Sequence, residues 1–245
     1  MDAIILGAGR GERLMPLTAD TPKILLPLWD GETILQKQLK IFENISEIER
    51  VIVVTGYLTE KVEQKIKEWN YEGFVDIAYN PFYKVSNNLV SLWFGSLKVR
   101  GDVIVTNGDN LFKLDVIKKL IDAGNDGIFL VVDEKNGYDA DDMKVKIENG
   151  FIKYVSKKID VNETDAESTG IAKFCGTGKN KFVNTLEYLV RKEEYLSKFW
   201  LEVFNYMASK GEKIIPIWIN QSEWQEMDIH SDKELIDYLL KKRRF

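Results

Sequence analysis

The chain is poor in the residues that stabilise small secreted proteins and build histidine chemistry: one cysteine, one histidine and five prolines in 245 residues. The single cysteine, Cys175, excludes an internal disulfide, so a reducing compartment suits the chain. It falls in a strand pattern and reads as core. The sole histidine, His230, close to Asp228, reads as a loop residue rather than a base. No apolar run approaches the roughly 20 residues that span a bilayer, which excludes a transmembrane helix of that kind. The opening MDAIILGAG lacks a basic stretch before its apolar residues, so it reads as a first strand and not a signal peptide. A net charge of −5 gives no global attraction to nucleic acid or acidic membrane, and the basic KKRRF end reads as a solvated helix terminus. A cytoplasmic protein with neither nucleic acid nor membrane as partner is expected. Linkers, repeats and low-complexity segments are also missing, so one domain over 1–245 is expected.

What is present is a regular alternation. Apolar runs at 3–6, 50–55, 75–80, 102–107 and 127–133 read as strands. Helical patterns at 33–45, 60–69, 88–99 and 114–123 separate them; the first places Ile34, Leu35, Leu39 and Phe42 on one face. This rhythm implies an α/β fold, a Rossmann-like, mostly parallel sheet with helices on both faces. In the second half the period becomes two. The run 143–158 reads as a hairpin turning at Asn149-Gly150, followed by a strand at 168–174, a β-rich insertion. Helices are expected near 178–191 and 197–209, then a strand at 213–219. A last helix at 231–242 is expected to be capped by Ser231 with Glu234 three residues on.

The stretch ILGAGRGERLMPLTADTPK, Ile5 to Lys23, leaves the first strand. The dinucleotide fingerprint requires a third glycine where Glu12 stands, and the P-loop requires Gly-Lys-Ser/Thr where Lys23 lies between Pro22 and Ile24; both patterns fail. What remains still suits a polyanion. Gly7, Gly9 and Gly11 let backbone N–H groups approach phosphates, and Arg10, Arg13 and Lys23 add three cations on a loop restricted by Pro16 and Pro22. The backbone from Leu6 through Gly7, Ala8, Gly9 and Arg10 to Gly11 is therefore a candidate nucleotide cradle. In-line attack at phosphorus is usually assisted by Mg²⁺, which takes one or two carboxylates with phosphate oxygens and water. Asp109, in VTNGDN after a buried strand, and Asp228, in SEWQEMD, are candidate ligands, with Glu226 a further one.

GAGRGERLMPLTADTPK resembles the signature of the nucleotidyltransferases that activate sugar phosphates and related phosphomonoesters, G-x-G-x-x-x-R-L/M-x-P-L-T followed by P-K. Gly7, Gly9, Arg13, Leu14, Pro16, Leu17, Thr18, Pro22 and Lys23 fill its fixed positions. The resemblance implies transfer of a nucleotidyl group from a nucleoside triphosphate to a phosphomonoester with loss of pyrophosphate. It further implies that Arg13 and Lys23 hold phosphates, and that Asp109 and Asp228 hold metal.

YNPFYKVSNNLVSLWF (79–94) and EWQEMDIHSD (223–232) resemble segments of the bacterial choline-phosphate cytidylyltransferases of the LicC type, which implies CTP as donor and phosphocholine as first acceptor. Tyr79, Asn87, Asn88 and Ser91 then become candidate readers of base or ribose, with an Asn helix cap at 87–88 as the alternative. Thr55 and Gly56, ending a strand on the same side, are further candidates for the nucleotide. A quaternary amine is held by aromatic faces, so Tyr138, Phe199, Trp200 and Trp224 are candidates for the acceptor end. Phe199-Trp200 is similar to a Tyr-Trp pair that precedes a carboxylate in that group; here Leu201 follows and the acid comes at Glu202. Lys157 and Lys158 follow the hairpin, near where similar enzymes have a lysine facing acceptor phosphate, with a solvated charge pair as the alternative. Sugar-1-phosphate, polyol-phosphate and phosphoglutamine acceptors are alternatives, as is a silent nucleotide-binding subunit; the oligomeric state is left open.

Overall fold

The apolar runs fold as read. In the computed structural model, which describes residues 1–135 and 137–245, the first half contains β1 (Asp2–Leu6), α1 (Ile34–Glu43), β2 (Arg50–Thr55), α2 (Thr59–Glu68), β3 (Val75–Tyr79), α3 (Asn88–Ser96) and β4 (Val103–Asn107). Next come β5 (Asn110–Phe112), α4 (Leu114–Asp122), β6 (Gly127–Asp133) and the hairpin β7 (Lys144–Glu148) and β8 (Phe151–Ser156). The chain closes with β9 (Ala166–Cys175), α5 (Thr177–Leu189), α6 (Glu193–Leu196), α7 (Glu202–Ser209), β10 (Ile214–Ile219), β11 (Trp224–Glu226) and α8 (His230–Lys241).

The main sheet has the order β10-β6-β9-β4-β1-β2-β3, with the β7–β8 hairpin joined to β9. β1, β2, β3 and β4 pair in parallel, as do β6 and β10; β9 runs antiparallel between β4 and β6. The central strands are buried on both faces, which is why their sequences run apolar without alternation. One face is covered by α1, α2 and α4 through Leu39, Phe42, Val62, Ile66 and Leu120. The other is covered by α3, α5 and α7 through Leu89, Leu92, Phe182, Leu186 and Phe204. A third cluster, Leu14, Leu26, Leu28, Ile34, Leu111, Met227 and Ile236, packs the polyanion loop against α8 and the short strands.

Three local expectations are corrected. The helix expected over 197–209 begins only at Glu202, as α7; residues 197–201 lie in turns, and the short α6 before them was not expected. Helix α8 is not capped by Ser231 and Glu234. Asp232 does the work, its carboxylate accepting the N–H groups of Asp228 and Ile229 at 2.8 Å each. The two short strands β5 and β11 were not visible in the periodicity. They form a separate antiparallel ribbon in which Asn110 pairs with Glu226. No helix among the described residues is long and apolar enough to cross a membrane.

Candidate active site

Parallel pairing of β1 with β4 sets Leu6 beside Asn107 and lets the Gly108 N–H donate to the Leu6 carbonyl at 2.9 Å. The turn after β1 therefore lies against the turn that carries Asp109. The β5–β11 ribbon brings in the second acid: the Met227 N–H donates to the Asp109 carbonyl at 3.0 Å, so Glu226 and Asp228 flank a residue bonded to Asp109 itself. Asp109, Glu226 and Asp228 each place one carboxylate oxygen within 4.8 Å of the others.

Lys23 joins the two aspartates. Its Nζ donates to Asp109 Oδ2 at 2.6 Å and to Asp228 Oδ1 at 2.5 Å. Burial alone would favour the neutral amine, but Asp109 and then Asp228 outweigh it and hold Lys23 above the ordinary lysine value. Lys23 is thus a fixed cation. Burial, followed by Asp109 and Asp228, pushes the Glu226 carboxyl well above the usual carboxylate range. Arg13 spans the mouth, donating to Asp228 Oδ2 and to Asp141 Oδ2 at 2.5 Å each; Asp141 also pairs with Lys157. The acids fit a divalent cation on one further observation. Asp109 Oδ1 is buried without a hydrogen-bond partner, and such an atom costs free energy until a ligand or water meets it.

These groups line a cleft of about 290 Å³. Of the loop residues, Leu6, Gly7, Ala8, Gly9 and Gly11 line it, and Arg10 does not; its guanidinium lies over Tyr57, 5.5 Å from the ring centroid. The Gly7 N–H is committed to the Val54 carbonyl at 2.9 Å, which corrects its expected part as a phosphate donor. Among the described residues, the N–H groups of Ala8, Gly9, Arg10 and Gly11 have no hydrogen-bond partner in the protein and remain to meet a ligand. Gly11 has φ 63, which other residues adopt only with strain, and a Cβ there would press on Lys23.

Of the remaining candidates, Asn87, Asn88, Ser91, Lys157, Phe199 and Trp200 line the cleft and the others do not. Thr55 is buried, with its hydroxyl on Thr59, and Gly56 is packed under Tyr83. Tyr79 is exposed outside the cleft lining. Ser91 lines the cleft, but its hydroxyl accepts from Asn80. Asn87 lines the cleft and caps α3, its side-chain oxygen accepting the Asn88 N–H at 2.7 Å. Lys157, Phe199 and Trp200 line the same cleft, with Met143, Glu167, Ser168, Thr169, Gly170 and Leu201. Trp224 is in the core, its indole N–H donating to Asp133 at 3.0 Å, which corrects its expected place at the acceptor end. Tyr138 stands beside Lys135 and Glu202 bonds Asn205; neither lines the cleft. His230 bonds the Met15 carbonyl, and Cys175 is buried.

Sequence reasoning missed Asn107, Asp141 and Glu167. Asn107 had a signal, since it stands in the same VTNGDN turn as Asp109. Glu167 lies in β9 and Asp141 in the loop before β7, where strand register and the path of the chain, not a local motif, determine what faces the cleft. Glu167 is buried, and burial lifts its carboxyl to about 7 despite the Lys135 ammonium at 2.7 Å. Lys135 is shared with Asp142, which is held below the usual carboxylate range, so Glu167 has only part of that charge.

A mostly parallel sheet with a glycine turn, two cations and converging acids at its carboxyl ends defines a phosphoryl-handling α/β enzyme. The chain belongs to the nucleotidyl transferase family, which it matches over residues 2–138. It is similar to the CTP:phosphoglutamine cytidylyltransferase of Campylobacter jejuni, 27% identical over 96% of this chain and 98% of that one. Its fold matches the CTP:phosphocholine cytidylyltransferase from Streptococcus pneumoniae (LicC), with a TM-score of 0.77, 19% identity and 98% of both chains covered. It also matches the inositol-1-phosphate CTP transferase from T. maritima, with a TM-score of 0.78 and 19% identity over 96% of this chain and 94% of that one.

Proposed function

We propose that this enzyme transfers CMP from CTP to a small phosphomonoester and releases pyrophosphate, with Mg²⁺ as cofactor. The observation that carries the reading is Lys23 bridging Asp109 and Asp228 directly beside the glycine turn. A phosphomonoester dianion is already a nucleophile, so the chain must supply charge and alignment rather than a base. One acceptor phosphate oxygen attacks the α-phosphorus; the bond from that phosphorus to the β-phosphate oxygen breaks, and pyrophosphate leaves with the electron pair. Backbone N–H groups of Ala8 to Gly11 hold the triphosphate, while Arg13 and Lys23 face the charge that moves onto its oxygens. Asp109 and Asp228, with Glu226 beside them, would hold Mg²⁺, which supplies further neutralisation when bound.

CTP as donor is supported by the named activities of the similar proteins. The acceptor end combines one exposed aromatic face, Phe199, with the Lys157 cation 5.6 Å from its ring centroid and the Glu167 carboxyl in the same cleft. This mixture suits a small phosphomonoester carrying an amine or amide. With Trp224 and Tyr138 outside the lining, a full aromatic cage is not formed, so phosphocholine and phosphoglutamine are the first two acceptors to compare. The test is pyrophosphate release with each of the four nucleoside triphosphates against a panel of amine, amide, polyol and sugar phosphates. CTP is expected to exceed the other donors by at least about tenfold in kcat/KM. Preference for another base, or no release from any pair, would sink the reading.

A further inference from the structure

Asn88 sits in the segment whose pattern points to nucleotide reading, yet its carboxamide oxygen accepts the Trp200 N–H at 2.8 Å. A backbone N–H only donates, so the atom facing it is the oxygen of the amide. Other bonds join the same two segments with the α3 side as donor. The Asn87 N–H donates to the Leu196 carbonyl at 2.8 Å, the Asn87 amide to the Ser197 carbonyl at 3.3 Å, and the Leu89 N–H to the Lys198 carbonyl at 3.4 Å. From the far side, the Trp200 indole N–H donates to Asn107 Oδ1 at 2.9 Å.

Residues 197–201 lie between α6 and α7 and have no helix of their own to hold them. Turn bonds tie them to the flanking helices, the Lys198 N–H donating to the Tyr195 carbonyl and the Val203 N–H to the Trp200 carbonyl at 3.0 Å each, and the first turn of α3 adds the cross-links from the side. The link carries Phe199, Trp200 and Leu201, all of which line the cleft.

We infer that Asn88 is a positioning residue of the acceptor end: its carboxamide fixes the Trp200 backbone, thereby places Phe199 and Leu201, and so sets acceptor selectivity rather than base selectivity. The inference rests on the proposed division of the cleft into a nucleotide end and an acceptor end. Because the bonds start from the segment that also walls the nucleotide end, the two ends are mechanically joined there. Asn87 is a poor probe, since it also caps α3. Asn88 occupies the first helical position, where alanine is well tolerated, so Asn88→Ala removes the strut and Asn88→Asp keeps an oxygen acceptor for the Trp200 N–H.

The full chain and both variants are compared by three measurements with Mg²⁺ present: CTP dissociation constant by calorimetry, acceptor KM and kcat by pyrophosphate release, and hydrogen exchange over 196–201. Asn88→Ala is expected to raise acceptor KM about tenfold, with kcat falling less and CTP affinity within about twofold of the parent. Exchange over 196–201 is expected to quicken. Asn88→Asp is expected to restore slow exchange and an acceptor KM within about threefold. A tenfold loss of CTP affinity in Asn88→Ala, or unchanged exchange, would overturn the inference. If the parent binds CTP but turns over no acceptor, the proposed function fails; quickened exchange in Asn88→Ala, restored in Asn88→Asp, would still uphold the strut, and unchanged exchange would overturn it.

Discussion

Lys23 shows how one side chain can organise a site. It keeps two aspartates together that would otherwise repel across a partly buried gap. Lys23→Ala is expected to lower turnover by at least about a thousandfold while circular dichroism stays that of a folded chain. The unneutralised pair should then respond to metal, so added Mg²⁺ should raise the Tm of Lys23→Ala more than that of the parent. Equal shifts would show that the acids do not share a cation. Glu167 gives a pH prediction. Its folded pKa of about 7 lies above the ordinary 4.5, so the native state binds the proton more tightly. Stability from this group is therefore fully present below pH 4.5 and declines as pH rises toward 7. By urea unfolding at pH 5 and pH 8, Glu167→Gln should flatten this decline by about 2 kcal/mol. Trp224→Phe removes the partner of Asp133, whose other carboxylate oxygen is already buried without one. It should cost about 1–3 kcal/mol of stability with acceptor KM unchanged. A change in acceptor KM at parental stability would return Trp224 to the acceptor end. At this scale the sequence was most informative where residues are contiguous. Gly9, Gly11, Arg13 and Lys23 could be placed at the cleft because one short motif carries them all, although Arg10 in the same loop turns away from it. Asp141, Glu167 and the core position of Trp224 could not, because register and topology put them where they are.

At the scale of elements, the long strands and amphipathic helices were legible because their apolar periodicity repeats over a full face. The ribbon of β5 and β11 was not, since three residues cannot display a period. The break between α6 and α7 was also hidden, because residues 197–201 are cross-linked to α3 by bonds that no local pattern records. Yet these unread pieces shape the site. Met227, fully buried among Leu14, Leu26, Leu111 and Ile236, packs the ribbon from behind while its N–H bonds Asp109. Met227→Ala should cost about 2–5 kcal/mol in urea unfolding. It should also raise the Mg²⁺ concentration needed for half-maximal turnover severalfold, because Glu226 and Asp228 lose their backing. A stability loss with an unchanged metal requirement would show that the ribbon merely packs.

Across the whole molecule, the family match ends at residue 138, whereas the second aspartate stands near the other end of the chain. The first half supplies the glycine loop, Arg13, Lys23 and Asp109; the second supplies Lys157, Phe199, Trp200, Glu226 and Asp228. The fold was legible in outline because a covered parallel sheet demands alternating buried strands and helices. The antiparallel place of β9 between β4 and β6 was not, since a strand buried on both faces looks the same in either direction.

Because the β5–β11 ribbon carries Glu226 and Asp228 to Asp109, a cut anywhere between Asp109 and Glu226 divides the three acids between two polypeptides. The exposed Asn149-Gly150 hairpin turn offers a natural place for such a cut. Each fragment would be inert by composition, and pyrophosphate release on mixing would report their reunion. The enzyme thus contains the makings of a complementation sensor, in which catalysis counts reassembled molecules.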